Sequence, residues 1–348
     1  MTAKKAMIGM SGGVDSSVAA WLTAQAGYDC IGATMLLHPG DGCDAEDAKN
    51  VAARMGIPFH IFDFSDDFRR LVKDSFVHAY ESGLTPNPCI TCNRYLKFDA
   101  FLRKAQTLGC DKIVTGHYAQ IRQDEHGRYL LEKAADIQKD QTYFLYSLTQ
   151  EQLAHTLFPL GGLTKQAARQ IAEEHGFINA RKRDSQDICF VPDGDYMAFM
   201  EQYTGKHYPA GNFLTENGQI VGTHKGAVGY TIGQRKGLGL AMGAPVYVCG
   251  KDMQANTVTV GPNEALFHTT LIADDWNWIA IDCLTEPMRV KAKARSRMVE
   301  QEATVYPMEN GLARVIFAEP QRAITPGQAV VLYDGDTVVG GGTILRTE

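Results

Sequence analysis

The sequence predicts an α/β protein: a doubly wound parallel sheet over residues 1–200, a small, mostly β central domain over 201–268 and a C-terminal antiparallel β-barrel over 269–348. Three observations carry this. Strand-like and helix-like runs alternate in the first third, glycine becomes frequent after about residue 200, and from about residue 270 short apolar runs are separated by Gly, Pro, Asp and Asn. Alternation calls for crossover helices and hence a parallel sheet. Short, closely spaced strands fit a small antiparallel barrel or sandwich, and we take the barrel. A chain of 348 residues also exceeds one ordinary domain.

Along the chain, "AMIGM" is a buried-strand run and "SSVAAWLTAQAG" has helical apolar spacing that ends on glycine. "CIGATMLL" reads as a strand, "DAEDAKNVAARMG" as a helix and "PFHIFDF" as a strand. Two longer helical stretches follow, then "DKIVTGHYAQI" as another strand. Later, "AVGYTI", "APVYVCG" and "TVTVG" are β-like, and "RVKAKARSR", "EATVYP", "LARVIFA", "AVVLYDG" and "TVVGGGTIL" complete the barrel.

Hydrophobic content of 45% and charged content of 21% suit a soluble globular protein. No apolar run reaches the length of a membrane span, and "MTAKKAMIGM" lacks a signal-peptide core, so a cytoplasmic location without membrane contact is expected. Of eight cysteines, Cys30, Cys43, Cys110, Cys249 and Cys283 read as packing residues, whereas Cys89, Cys92 and Cys189 lie in polar, turn-rich contexts. The net charge of −6 argues against a uniformly basic surface. Two strips in the later half nevertheless carry cations without one acid: Lys225, Arg235, Lys236 and Lys251, and Arg289, Lys291, Lys293, Arg295 and Arg297. Period two places the second set on one strand face, where it suits a phosphate backbone; a solvated sheet face is the plainer alternative.

The stretch "MSGGVDSS" lies between the first strand and the first helix, at the strand's carboxyl end. A glycine turn there aims backbone N–H groups at one point beside the positive end of the helix dipole, an anion site. Ser11, Ser16 and Ser17 add hydroxyl donors, and Asp15 makes sense beside an anion if it holds a metal ion or an orienting hydrogen bond. The spacing matches neither the P-loop nor the dinucleotide fingerprint. In "TPNPCITCNRYLKFD", helical spacing begins near Cys92, so the dipole together with Arg94 and Lys97 is expected to favour its thiolate. Cys189 follows the charged run "RDSQD". Spacing alone does not show whether these thiols meet.

The loop "SGGVDSS" resembles that of the ATP-pyrophosphatase (PP-loop) superfamily. With "TPNPCITCNRYLKFD", "VTGHYA", "KDQTYFLYSL", "RDSQDICFV", "TIGQRKGLG" and "AEPQRAITPGQAVVLY", nearly the whole chain resembles the tRNA-specific 2-thiouridylases. The resemblance implies that Gly9, Met10, Ser11, Gly12, Gly13, Val14, Asp15 and Ser16, with Met35 and Gly116, bind ATP with Mg²⁺. It implies Cys92 as nucleophile and Cys189 as carrier of a persulfide. Asn87, Pro88 and Cys89 would face the target base, and His117, Lys139, Asp140, Gln141, Arg295, Ser296 and Gln328 would touch tRNA. Glutamate, glutamine and lysine tRNAs are the implied substrates, and a cysteine desulfurase or sulfur-relay protein the implied donor.

The residue types agree with that chemistry. A uracil carbonyl oxygen leaves poorly until AMP is placed on it, and a persulfide then delivers sulfur, ending in a Cys92–Cys189 disulfide. One departure stands out, for many relatives carry aspartate where this chain has Cys89. Three cysteines also resemble the iron–sulfur sites of related thiolases, so a cluster held by Cys89, Cys92 and Cys189 is the second route, and zinc a further one. Outside this chemistry, the sequence leaves a PP-loop synthetase acting on a small molecule and a catalytically silent tRNA-binding protein. Neither explains the loop, the two cysteines and the basic strips together.

Overall fold

A computed structural model describes residues 4–38, 42–177 and 188–348. The charged run at 183–187 and the side chain of Cys43 lie outside the described residues.

The first layer is a five-stranded parallel sheet in the order β3-β2-β1-β4-β7, formed by β1 (Lys5–Gly9), β2 (Asp29–Leu36), β3 (Phe59–Asp63), β4 (Lys112–Val114) and β7 (Thr156–Leu157). Helices α1 (Val14–Gln25), α2 (Gly42–Met55), α3 (Ser65–Phe68), α4 (Asp74–Glu81), α5 (Pro88–Cys92), α6 (Phe101–Thr107), α7 (Gln150–Ala154) and α8 (Lys165–Glu174) accompany it. One apolar cluster joins β1 to α1, α2 and α8, through Ile8, Val18, Ala52 and Ala168. The other packs Met7 and Ile113 against Phe98, Phe101 and Tyr143. Strand order reverses direction between β1 and β4, and ligands of such sheets bind at that switch point.

The run "DKIVTGHYAQI" is two strands rather than one. It stops at Val114, crosses the sheet end through 115–119, and resumes as β5 (Gln120–Gln123), which forms a hairpin with β6 (Tyr129–Glu132). That hairpin extends the C-terminal sheet, since Glu132 pairs with Thr337. Its apolar residues Leu131 and Ile121 pack in a cluster shared with Ala329 and Val331.

After α9 (Tyr196–Thr204), the central sheet has the order β10-β11-β8-β9, from β8 (Gly211–Thr215), β9 (Ile220–His224), β10 (Tyr247–Asp252) and β11 (Thr257–Gly261). The expected strand "AVGYTI" instead contains a 3₁₀ turn at Ala227–Gly229. Gly226, at φ 130, breaks the extended path there.

The last unit closes on itself. Strands β12 (Phe267–Trp278), β13 (Met288–Lys293), β14 (Gln301–Pro307), β15 (Ala313–Arg322), β16 (Ala329–Asp334) and β17 (Thr337–Thr347) pair antiparallel in the order β12-β15-β14-β13-β16-β17, and β12 also pairs with β17. Closure removes both edges and leaves a barrel filled by inward residues such as Val290, Val305, Val315 and Leu332. Period two holds along β13, with Arg289 and Lys291 outside and Val290 and Ala292 inside. The strand ends at Lys293, however, so Arg295 and Arg297 leave the expected row.

Candidate active site

At the switch point the loop 10–13 leads from β1 into α1. Gly12 has φ 68, a conformation that side chains disfavour, which lets the chain turn under the helix. Gly13 stands at the N-cap with no side-chain hydrogen bond, which leaves the first-turn N–H groups of α1 without a side-chain cap, whereas Met10 N donates to Ala33 O (2.8 Å). Met10 and Val14 bury their side chains and contribute backbone alone. The hydroxyls do not all serve as the sequence suggests. Those of Ser16 and Ser17 donate to the Gly13 carbonyl (3.1 and 3.0 Å), and Ser16 Oγ accepts from Ser11 N (3.2 Å), so they brace the loop. The exposed hydroxyl is that of Ser11.

Across the switch point, Gly116 lies so close that an added Cβ would stand 2.8 Å from the backbone of Asp15 and Ser16. Met35, half-buried at the end of β2, packs beside Met7 and Phe62 in the adjoining cluster. Asp15 is held from two sides that sequence reasoning missed. Lys165 Nζ donates to both of its carboxylate oxygens (2.8 and 2.7 Å), and the Tyr118 hydroxyl donates to Oδ1 (2.8 Å). The available signal was a lysine opening a helix after the cap Thr164, where a helix dipole disfavours a cation.

The thiols lie on a second set of elements. Helix α5 begins at Pro88, with Asn87 as its cap accepting from Cys89 N (3.2 Å). The helix thus starts well before Cys92, and it is the exposed Cys89 that sits in its first turn. Cys92 is buried, and burial pushes its thiol up to about 11 rather than down. Lys97, on the π-helical stretch Asn93–Ala100, opposes that shift. Arg94 does not contribute as expected: its guanidinium forms a two-point pair with Asp275 on the barrel. The neighbouring thiols Cys189 and Cys89 raise Cys92 further, so each of them lies within electrostatic reach of Cys92. Phe190 and Val191, which follow the exposed Cys189, pack in the apolar cluster that holds Cys92.

The remaining sequence candidates fall into two groups. His117 packs between Phe98 and Phe158 (ring centroids 5.6 and 6.0 Å) with Nδ1 2.7 Å from Thr115 Oγ1. Burial holds its imidazole down at about 3, so it is neutral. Asp140 accepts from Ala134 N and Thr142 Oγ1, and Gln141 Oε1 accepts from Tyr118 N (2.9 Å); Lys139 lies half-buried in the same turn. These contacts tie the 139–141 turn to Tyr118, and through it to Asp15.

On the barrel, Gln328 Nε2 donates to Thr85 O (2.7 Å) and Thr85 N to Pro326 O (2.9 Å), which brings the loop "TPGQ" against the approach to Asn87, Pro88 and Cys89. Arg295 donates to Ile232 O (3.2 Å) and Thr325 Oγ1 (2.5 Å), beside half-buried Ser296, and so joins barrel to central domain. The strip also meets acids that the local sequence hides. Lys291 pairs with Glu302, and Lys293 with Glu300, which also binds Lys133 (2.8 Å).

Comparison with known proteins fits this geometry. Family profiles described as "tRNA methyl transferase HUP domain", "tRNA methyl transferase PRC-barrel domain" and "Aminomethyltransferase beta-barrel domain" match residues 4–193, 197–262 and 268–344. The tRNA-specific 2-thiouridylase MnmA of Acetivibrio thermocellus is 50% identical, covering 99% of this chain and 100% of its own. That of Clostridioides difficile is 51% identical over 99% of each. The chain belongs to the tRNA-specific 2-thiouridylase family. Although the profile descriptions speak of methyl transfer, full-length relatives at half identity decide the family. Among solved structures, the U34-tRNA thiolase NcsA from Methanococcus maripaludis, with its [4Fe-4S] cluster, aligns at 18% identity and TM-score 0.37 over 58% of this chain and 68% of that one, too distant to bear on the site.

In this 2-thiouridylase-family fold no group of three or more His, Cys, Asp or Glu side chains is arranged to hold a metal ion among the described residues. Cys89, Cys92 and Cys189 do not form such a group, so the three thiols as placed do not fit an iron–sulfur cluster. For Mg²⁺ the loop offers one carboxylate, Asp15, whose oxygens Lys165 and Tyr118 already hold. No helix among the described residues is long and apolar enough to cross a membrane.

Proposed function

We propose that this enzyme makes 2-thiouridine at the wobble position of tRNA, using ATP to activate the base and a persulfide on Cys189 to supply sulfur. The observation that carries the reading is that the exposed Cys89 and Cys189 both lie within electrostatic reach of the buried Cys92, just beyond the segment whose Thr85 is held by Gln328 of the barrel. The uracil 2-oxygen attacks the α-phosphorus of ATP, the bond to the β-phosphate oxygen breaks, and pyrophosphate leaves with the electron pair. The first-turn N–H groups of α1 and its dipole bind the phosphates, while Gly9–Ser16, Met35 and Gly116 form the nucleotide site. Mg²⁺ accompanying the nucleotide would neutralise phosphate charge, and Asp15 would hold it directly or through water.

The terminal persulfide sulfur then attacks C2 of the base, and AMP departs with the former oxygen. Cys92, as thiolate, attacks Cys189 Sγ; the persulfide bond breaks, its electrons pass to the sulfur on the base, and a Cys92–Cys189 disulfide forms. A two-electron thiol reductant resets the pair, and a cysteine desulfurase or relay protein reloads Cys189. Asn87, Pro88 and Cys89 face the base, which must leave its stack to reach a buried thiol. Lys139, Arg295, Ser296 and Gln328 belong to the tRNA face, whereas neutral His117, Asp140 and Gln141 support the site from within. Glutamate, glutamine and lysine tRNAs are the proposed substrates, and the cytoplasm, where they meet ATP, the location.

Mass spectrometry of tRNA nucleosides after incubation with ATP, Mg²⁺ and a persulfide donor tests the reading. Exchange of oxygen for sulfur at the wobble uridine supports it. A methylated nucleoside, or AMP formation without tRNA, overturns it.

A further inference from the structure

Resting on the phosphate-loop reading above, we propose that Lys165 is a catalytic cation of adenylyl transfer, passing from Asp15 to the leaving pyrophosphate. Its placement is unusual on three counts. Its side chain is 11% exposed, it is the first residue of α8, where the helix dipole opposes a positive charge, and its Nζ is held at 2.8 and 2.7 Å by the two oxygens of Asp15. Asp15 itself lies in the first turn of α1, the turn whose N–H groups receive phosphate.

A carboxylate there repels an incoming triphosphate unless a cation masks it, and the ion pair with Lys165 does so. Once phosphate oxygens reach the loop they outbid the carboxylate for the ammonium, carrying more negative charge per group. The Tyr118 hydroxyl keeps Asp15 in place when Lys165 departs, and Tyr118 is fixed in turn by Gln141. The lysine's four-carbon stem supplies the reach, while Asp136 fixes the lysine's backbone by accepting from Lys165 N (3.0 Å). As the bond between the α-phosphorus and the bridging oxygen breaks, the electron pair goes to pyrophosphate, and Lys165 stabilises the charge that develops. Asp15, left with the Tyr118 hydroxyl, would then be able to hold a magnesium ion accompanying the nucleotide.

Binding of inorganic pyrophosphate, by calorimetry on the full-length protein, separates this role from simple neutralisation of Asp15. Lys165→Met is expected to weaken pyrophosphate binding about ten- to a hundredfold, the loss of one charge-assisted contact. Asp15→Asn is expected to strengthen it, because the carboxylate that competes with phosphate for Lys165 is removed. Lys165→Arg should recover part of both binding and the tRNA-dependent rate of pyrophosphate release. Weakening by Asp15→Asn to the same degree as Lys165→Met, or unchanged binding in Lys165→Met with a circular dichroism spectrum like the parent's, would overturn the proposal. If the parent protein itself binds neither ATP nor pyrophosphate, the phosphate-loop reading fails first, and no variant is needed to show it.

Discussion

The phosphate loop and the thiol site are built in opposite ways. The loop is a continuous stretch between β1 and α1, shaped by Gly12 and braced by hydroxyls within five residues of one another. Its chemistry belongs to the backbone. The thiol site gathers Cys92 from α5 and Cys189 from a turn after α8, and its chemistry belongs to side chains in an apolar cluster. A local device is written in adjacent residues, whereas a long-range one depends on packing. Mutation should therefore separate them: side-chain changes at the thiols stop sulfur transfer and spare ATP chemistry, and the loop resists any change that respects its backbone.

The largest expected effect is at the thiols. Cys92→Ser and Cys189→Ser should each abolish thiolation yet retain tRNA-stimulated AMP formation, since neither touches the loop; nucleoside mass spectrometry and AMP release measure the two. Cys89→Asp, which places there the carboxylate that the family resemblance implies, should keep substantial thiolation in air. Loss of AMP formation in Cys92→Ser would join the two regions that the comparison keeps apart.

The second prediction uses pH. Burial raises Cys92 to about 11 from an ordinary 9.0. Its alkylation by iodoacetamide should then climb about tenfold per pH unit past pH 9, where an ordinary thiol has levelled off. The same shift affects stability. A group raised in the folded state stabilises it fully below its unfolded value, so this contribution is lost as pH rises from about 9 through about 11. His117 has the opposite sign: held near 3 from 6.5, it favours the fold above pH 6.5 and loses that contribution as pH falls toward 3. Thermal melts of the parent and Cys92→Ser across pH 8 to 11 check the first; a plateau in alkylation at pH 9 contradicts it.

How much was legible follows the same division. The strands and α1 were readable because period-two and helical spacing are local signals, and "SGGVDSS" is one contiguous motif. The strand "RVKAKARSR" was half legible: its alternation holds to Lys293, but sequence hides Glu300 and Glu302 on the partner strand. Cys92 was misjudged because the helix start was placed four residues late and burial outweighs a dipole. Lys165 went unseen because its partner lies 150 residues away.

A middle-sized effect tests the junction. Arg295 holds Ile232 O and Thr325 Oγ1, and burial opposes its charge. Arg295→Ala should therefore cost about 1–3 kcal/mol of stability, read by denaturant unfolding, in addition to weakening tRNA. A loss of tRNA affinity with unchanged stability would make it a surface contact after all.

The smallest effect lies on the outer face of β13. Lys291 is exposed, and its pair with Glu302 is 3.7 Å between two solvent-facing groups, so Lys291→Ala should change stability by less than about 1 kcal/mol. Its influence on tRNA is read instead from salt. If Lys291 meets a phosphate, removing it lowers the log–log slope of affinity against salt by about one, whichever tRNA is used. Lys293, held against Glu300 and over the Tyr333 ring at 5.4 Å, should give a smaller slope change and a larger loss of stability. The exposed and the paired lysine, two residues apart on one strand, thus predict opposite rankings in the two measurements. Slopes equal to the parent's in both variants would return the whole strip to an ordinary solvated face and leave tRNA recognition to the loops around Gln328 and Asn87.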